Sequence, residues 1–253
     1  MRLTLPKAIL CLSLVCGHAL HAQTPTSPAN TLPTFDPSPY QAQEKALSGV
    51  LEKMPPSQSL LSRRGDARVF LGDFKGAVAD YEGMIALDPS QDAPHWRLGI
   101  AYYFAGSYEK AARQFEKYHA YDARDRENGV WKFFSQIRGE NLEAARKGLL
   151  VYTQFDREPF PAVYKMLAGG LKPAEVLEEM TRKGLEGEPQ VQFFAKYYAG
   201  LYEFSTGQKE LGLQWVREAM AIFPPAAVDR GGPGYMWHAA RLHAKQLADE
   251  LAR

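Results

Sequence analysis

QSLLSRRGDARVFLGDFKGAVADYEGMIALDPSQ, residues 58–91, runs directly into DAPHWRLGIAYYFAGSYEKAARQFEKYHAYDARD, residues 92–125. The two segments are one pattern written twice at a step of 34 residues. Gly65, Gly72, Phe74, Ala77, Tyr81 and Asp88 return as Gly99, Gly106, Tyr108, Ala111, Phe115 and Asp122. Pro89 is the position that breaks the rule, with Ala123 in its place. Each copy predicts a helix A, a glycine turn and a helix B. Helix A covers residues 58–71 and then 92–104, with Asp92 as N-cap and Pro94 in the first turn. Helix B covers residues 74–87 and 108–120. Gly65 and Gly99 let helix A touch helix B, and Ala77 and Ala111 are the small partners on the other side. Tyr81 and Phe115 fill the space between neighbouring units. Such a unit cannot bury its apolar face alone, so further helix pairs must follow.

They do follow, with growing irregularity. A third copy over about 126–155 places Trp131, Phe133, Phe134 and Ile137 on helix A, and Leu142, Ala145 and Leu149 on helix B. Ala145 keeps the step from Ala111, but Phe133 stands where a packing glycine is expected, so this pair should be spread or rotated. Residues 160–181 depart from the period and read as two short helices, started by Pro161 and Pro173. The pattern returns over about 190–224. There Gly207 turns the chain and Pro224 ends helix B, as Pro89 does in the first copy. A glycine-rich loop leads to a last helix over 235–252, expected to cap the stack with its polar face outward. The 34-residue period with these small and aromatic positions resembles the tetratricopeptide repeat (TPR). The fold expected is therefore an all-α solenoid of helix pairs with an irregular middle insert. One domain covers 40–253, and its first helix, over 40–54, caps the first repeat.

The N-terminus reads differently. Arg2 and Lys7 precede an apolar run over 8–15, and Leu20-His21-Ala22 would suit a signal peptidase. Residues 1–22 are expected to be an export signal, too short to span a bilayer. Residues 23–39 hold five prolines and read as an extended tether. Both cysteines, Cys11 and Cys16, lie within the signal, so the mature chain would carry no disulfide and no thiol nucleophile. Val15 departs from the small residue that a lipidation motif places before its cysteine. Membrane association is expected only if Cys16 is lipidated. Without Arg2 and Lys7 the 30 basic residues become 28, against 29 acidic ones. That balance argues against a nucleic-acid partner held by its phosphates.

The order of parts is similar to that of the NlpI-type lipoproteins of the bacterial envelope. The resemblance covers about 58–224 and is carried by three stretches. They are the Trp131-x-Phe133-Phe134 helix, the segment from Val163-Tyr164-Lys165 through Gly169-Gly170 to Val176-Leu177, and the Phe193-Phe194-Ala195-Lys196-Tyr197-Tyr198 helix leading to Gly207. It implies a homodimerising adaptor that brings proteases to cell-wall hydrolases.

No catalytic constellation stands out. Gly-x-Ser-x-Gly, the phosphate-loop pattern and His-Glu-x-x-His are all missing, and no cofactor or metal site is expected. His95, His119, His238 and His243 are expected to be surface or groove residues. In TPRs helix A lines the concave side, which puts Trp96, Arg97, Ile100, Tyr103, Phe104, Val130 and Phe134 in a partner groove. Arg97 could anchor a carboxylate. The positions that resemble those of chaperone-clamping TPRs are Ser62, Asp66, Arg97, Glu127 and Trp131, and the acidic pair would repel a terminal carboxylate. The function expected is a non-catalytic, exported scaffold that binds a peptide or protein partner in the periplasm or envelope. The alternatives are a dimeric structural component and a cell-wall hydrolase.

Overall fold

The structure, a computed structural model, describes residues 34–228 and 232–253. The expected export signal, both cysteines and most of the proline-rich segment lie outside the described residues. The described residues form twelve α-helices and two short 3-10 turns, with no strand among them. Helix α1 is Ser38–Leu51. The pairs α2 (Gln58–Leu71) with α3 (Phe74–Leu87) and α4 (Trp96–Phe104) with α5 (Tyr108–Tyr121) are the two regular repeats. Then come α6 (Arg126–Gly139), α7 (Leu142–Lys147), α8 (Phe160–Leu167), α9 (Pro173–Arg182), α10 (Pro189–Ser205), α11 (Lys209–Ala221) and α12 (Tyr235–Leu251). Helices adjacent in sequence pack on one another through most of the chain, the arrangement of a solenoid.

The repeat positions show why the pattern folds this way. Gly72 and Gly106 take φ of 86° and 77°, a left-handed turn that glycine adopts without steric cost. Asp73 then caps α3 by accepting from the Gly76 amide at 3.0 Å. Ala77, Ala111 and Ala145 are fully buried. Tyr81 and Phe115 are also fully buried, and their rings lie against Gly65 and Gly99 of their own repeat. The expected N-cap of α4 is corrected. Residues 92–95 precede the helix, and the His95 Nδ1 caps it by accepting from the Leu98 amide at 3.1 Å.

The third repeat keeps a full helix A, but its helix B is the six-residue α7. Phe133 is buried and stacks on Tyr202 of α10, so it packs toward the later helices where glycine would have admitted a close helix B. The chain from 148 to 159 is irregular and returns beside the start of α6. Among the described residues no helix is long and apolar enough to cross a membrane.

Two expectations about the ends change. Part of the predicted tether is packed structure: Phe35 stacks on Tyr40, and the Arg241 guanidinium lies 3.7 Å from its ring centre. The last helix is also more than an end cap. It packs on α11, and nine of its residues are buried. Its side chains reach α1, α2, α4, α6 and α10 in turn.

Candidate functional site

The path of α12 decides what remains of the expected groove. Tyr235 packs edge-on to Trp96 at 5.0 Å. His243 is surrounded by Tyr103, Phe104, Trp131 and Tyr197, with ring centres 4.8 to 5.8 Å away. Its Nδ1 lies 2.7 Å from the Tyr197 hydroxyl. At the far end Arg138 of α6 makes a paired bond to Glu250, at 2.6 and 3.0 Å. The inner face of the solenoid is thus filled by the chain's own last helix. Ala239, Ala240 and Ala244 are fully buried and let that helix sit close.

This filling separates the seven predicted groove residues. Ile100, Tyr103, Val130 and Phe134 are buried core and offer no surface to a partner. Phe104 is half-buried, stacked on Phe74 and tilted against His243. Trp96 and Arg97 remain at the edge of the face. Arg97 is not a free anchor: its Nη1 donates to Asp66 at 2.9 Å, and its guanidinium lies 5.4 Å from the Trp96 ring centre. Asp66, which also accepts from the Tyr81 hydroxyl, neutralises the arginine. Burial is the main cause that raises the Asp66 carboxyl above its ordinary range.

Beside Trp96 is a cavity of about 190 Å³. Trp96, Phe115, Trp131 and Met236 form its apolar side, and Asp125, Glu127, Asn128 and Arg157 its polar side. Asp125 is the N-cap of α6 and accepts from the Glu127 amide at 3.1 Å. Glu127 and Trp131 are one helical turn apart, on one face of α6. Arg157 comes from the irregular segment between α7 and α8. It donates to Glu127, lies 3.4 Å from Asp125 and 3.3 Å from Asp156, and covers the Phe160 ring at 4.4 Å. The Tyr198 hydroxyl of α10 donates to the other Glu127 oxygen.

The Glu127 side chain is only 12% exposed. Burial pushes its carboxyl up to about 7; the Arg157 charge and the Tyr198 hydrogen bond oppose this, and the Asp125 and Asp156 charges reinforce it. Burial raises Asp125 as well. A glutamate poised near neutrality in an aromatic cavity is a physical marker of a functional site. The sequence pointed to Trp96, and to Glu127 only as a charge that would repel a terminal carboxylate; Asp125 and Arg157 were not singled out. The four-residue step from Glu127 to Trp131 was available as a signal. Nothing in the sequence placed Arg157 there.

The histidines are corrected too. His95, His238 and His243 are buried. Burial lowers them to about 4, 3 and 3, so they are neutral at pH 7. His119 is half-buried against Tyr152.

No family model matches this chain. It is 23% identical over 186 residues to the lipoprotein NlpI homolog of Haemophilus influenzae, an alignment covering 73% of this chain and 57% of that protein. The chain therefore spans little more than half the length of this curated relative. The similarity and the all-helical pairs agree in kind with a TPR-like solenoid.

Proposed function

We propose that this chain is a non-catalytic scaffold of the bacterial cell envelope that binds a protein partner at the cleft formed by α4, α6 and the start of α12. The observation that carries the reading is the Trp96 edge. Once α12 has filled the inner face, Trp96 remains half-exposed beside a preformed cavity with aromatic walls. Tryptophan and arginine at a rigid rim are residue types that carry interface energy. The rim is held in place by the Asp66–Arg97 pair and by Tyr235, so docking orders little of the scaffold. Similarity to a protein named as a lipoprotein supports an envelope location. Export would use residues 1–22, membrane attachment would need lipidation of Cys16, and a homodimer is part of the same reading.

Site-specific photocrosslinking tests it. A crosslinker at position 96 is expected to capture a defined partner in cells, and one at the exposed Glu116 on α5 is not. Equal capture from both positions would remove the cleft as the docking site.

One observation favours the hydrolase reading: Glu127 is raised to about 7 and shares a cavity with Asp125. Arg157 bridges the two carboxylates, which suits an ion-pair anchor better than an acid–base pair. Turnover of peptidoglycan by the purified chain, abolished by Glu127→Gln, would reverse this order.

A further inference from the structure

The cavity beside Trp96 has an unbalanced charge. Two carboxylates, Asp125 and Glu127, line it and, with Asp156 outside the lining, share one guanidinium among the described residues, that of Arg157. The neighbouring Arg126 does not supply the difference, because its guanidinium lies over the Tyr152 ring at 5.2 Å. The opposite side is aromatic. Trp131 is 2% exposed, and its indole N–H has no hydrogen-bond acceptor among the described residues. A buried donor without a partner is costly unless a ligand satisfies it.

Each class of occupant can be judged on these walls. An anionic group would face the Asp125 and Glu127 carboxylates. A purely apolar group would desolvate Glu127 further without any compensating charge. A cation meets the Asp125 and Glu127 carboxylates on one side and the half-exposed Trp96 indole on the other, an arrangement that attracts ammonium and guanidinium groups.

We infer that the cavity receives the side chain of a lysine or arginine from the partner's docking segment, held between the Trp96 ring and the Glu127 carboxylate. The inference rests on reading the cleft as the docking site and names the chemistry recognised there. A backbone carbonyl next to the basic residue would give the Trp131 N–H its acceptor. Uptake is also coupled to a proton. The groups facing Glu127 are Asp125 at the cap of its own helix, Asp156 and Arg157 on the irregular segment, and Tyr198 on α10. A second cation among them favours ionised Glu127, so binding releases a proton and strengthens as pH rises through about 7.

The test uses the full chain labelled at its four tryptophans, Trp96, Trp131, Trp215 and Trp237, with the indole N–H signals followed by NMR. The probes are the Nα-acetyl methylamides of arginine, lysine, citrulline and glutamate. Arginine and lysine are expected to shift the Trp96 and Trp131 signals and leave those of Trp215 and Trp237 in place. The arginine affinity should fall about tenfold from pH 8 to pH 6 for a carboxylate titrating near 7. Glu127→Gln should reduce arginine to the level of citrulline. If that variant does not fold, the pH series on the unaltered chain decides. Equal shifts with citrulline, a preference for glutamate, or a pH-independent arginine affinity would each overturn the inference. Crosslinking from position 96 without any response to arginine would overturn it too, while leaving the scaffold standing. Arginine binding without crosslinking would support the cation site and remove the scaffold reading.

Discussion

The ring of Tyr81 occupies the space that a side chain on Gly65 would need: a Cβ there would fall 2.5 Å from the Tyr81 Cε1. The second repeat repeats the relationship, with a Cβ on Gly99 falling 2.7 Å from the Phe115 Cζ. The glycine and the aromatic, sixteen residues apart in both copies, form one packing unit. Gly65→Ala and Gly99→Ala should each destabilise the fold by about 1–3 kcal/mol, because a fully buried ring must move in a close-packed interior. The control is Gly49 in α1, where a Cβ meets nothing within 4 Å. Gly49→Ala should stabilise by about 0.5–1 kcal/mol through helix propensity. Urea unfolding of the three variants measures the contrast. Equal effects would show that the glycine–aromatic packing is not what holds the pair.

The Arg138–Glu250 pair fixes the end of α12 against α6. Both side chains are less than a third exposed, and the bond is two-pronged, which makes it stronger than an ordinary surface pair. Arg138→Ala should cost about 1–2 kcal/mol. Amide exchange should quicken first in the last turns of α12. Unchanged exchange there would mean that the ring contacts of His243 suffice to seat the helix.

The repeats were legible because a 34-residue period shows which residue types recur; Tyr81, though expected between neighbouring units, packs its ring on Gly65 of its own repeat. The place of α12 was not legible. Periodicity gives a helix an apolar stripe but does not say what the stripe covers. Ala239, Ala240 and Ala244 suit a cap and a groove filling equally well. The groove residues failed for the same reason: Tyr103 and Phe134 are aromatic on helix A whether or not another helix covers them. Arg157 lies beyond any periodic argument, because the segment from 148 to 159 has no period. His243 looked like a surface or groove residue because its partner, Tyr197, is 46 residues away.

Two buried histidines give α12 an acid sensitivity. His238 and His243 are held near 3 when folded and titrate near 6.5 when unfolded. Between these values the unfolded chain binds more protons, so stability falls as pH drops from about 6.5 toward 3. Each histidine contributes up to about 1.4 kcal/mol per pH unit inside that window. Glu127 works in the opposite direction. Its folded value near 7 lies above its unfolded value, so its share of stability is present at low pH and is lost as pH rises through 7. His243→Gln should flatten the slope of stability against pH below 6.5, and Glu127→Gln should steepen it between about 4.5 and 6.5. Urea midpoints at pH 4.5, 5.5 and 6.5 separate the two effects. A slope that His243→Gln leaves unchanged would show that this histidine is already charged in the folded state.

Among the described residues Arg157 is the sole guanidinium bonded to Asp125, Glu127 and Asp156, so Arg157→Ala should matter most where Glu127 is ionised. The Arg157 charge pulls Glu127 down, and without it the glutamate should titrate above 7. At pH 8 the variant then holds repelling carboxylates around a buried position, or takes up a proton against the bulk pH. Both cost stability. A fully buried pair broken in this way would cost about 3–5 kcal/mol, but the Arg157 side chain is 48% exposed, so water replaces part of its effect. About 1–2 kcal/mol at pH 8 is expected after that discount, and less at pH 6, where Glu127 is already largely protonated. Glu127→Gln in the same chain should restore most of the loss, because the amide keeps the Tyr198 hydrogen bond and carries no charge. The double-mutant cycle at the two pH values isolates this term from the loss of Arg157 packing on Phe160. A coupling energy equal at pH 6 and pH 8 would place Glu127 in its ordinary range and remove the proton from the account of this cavity.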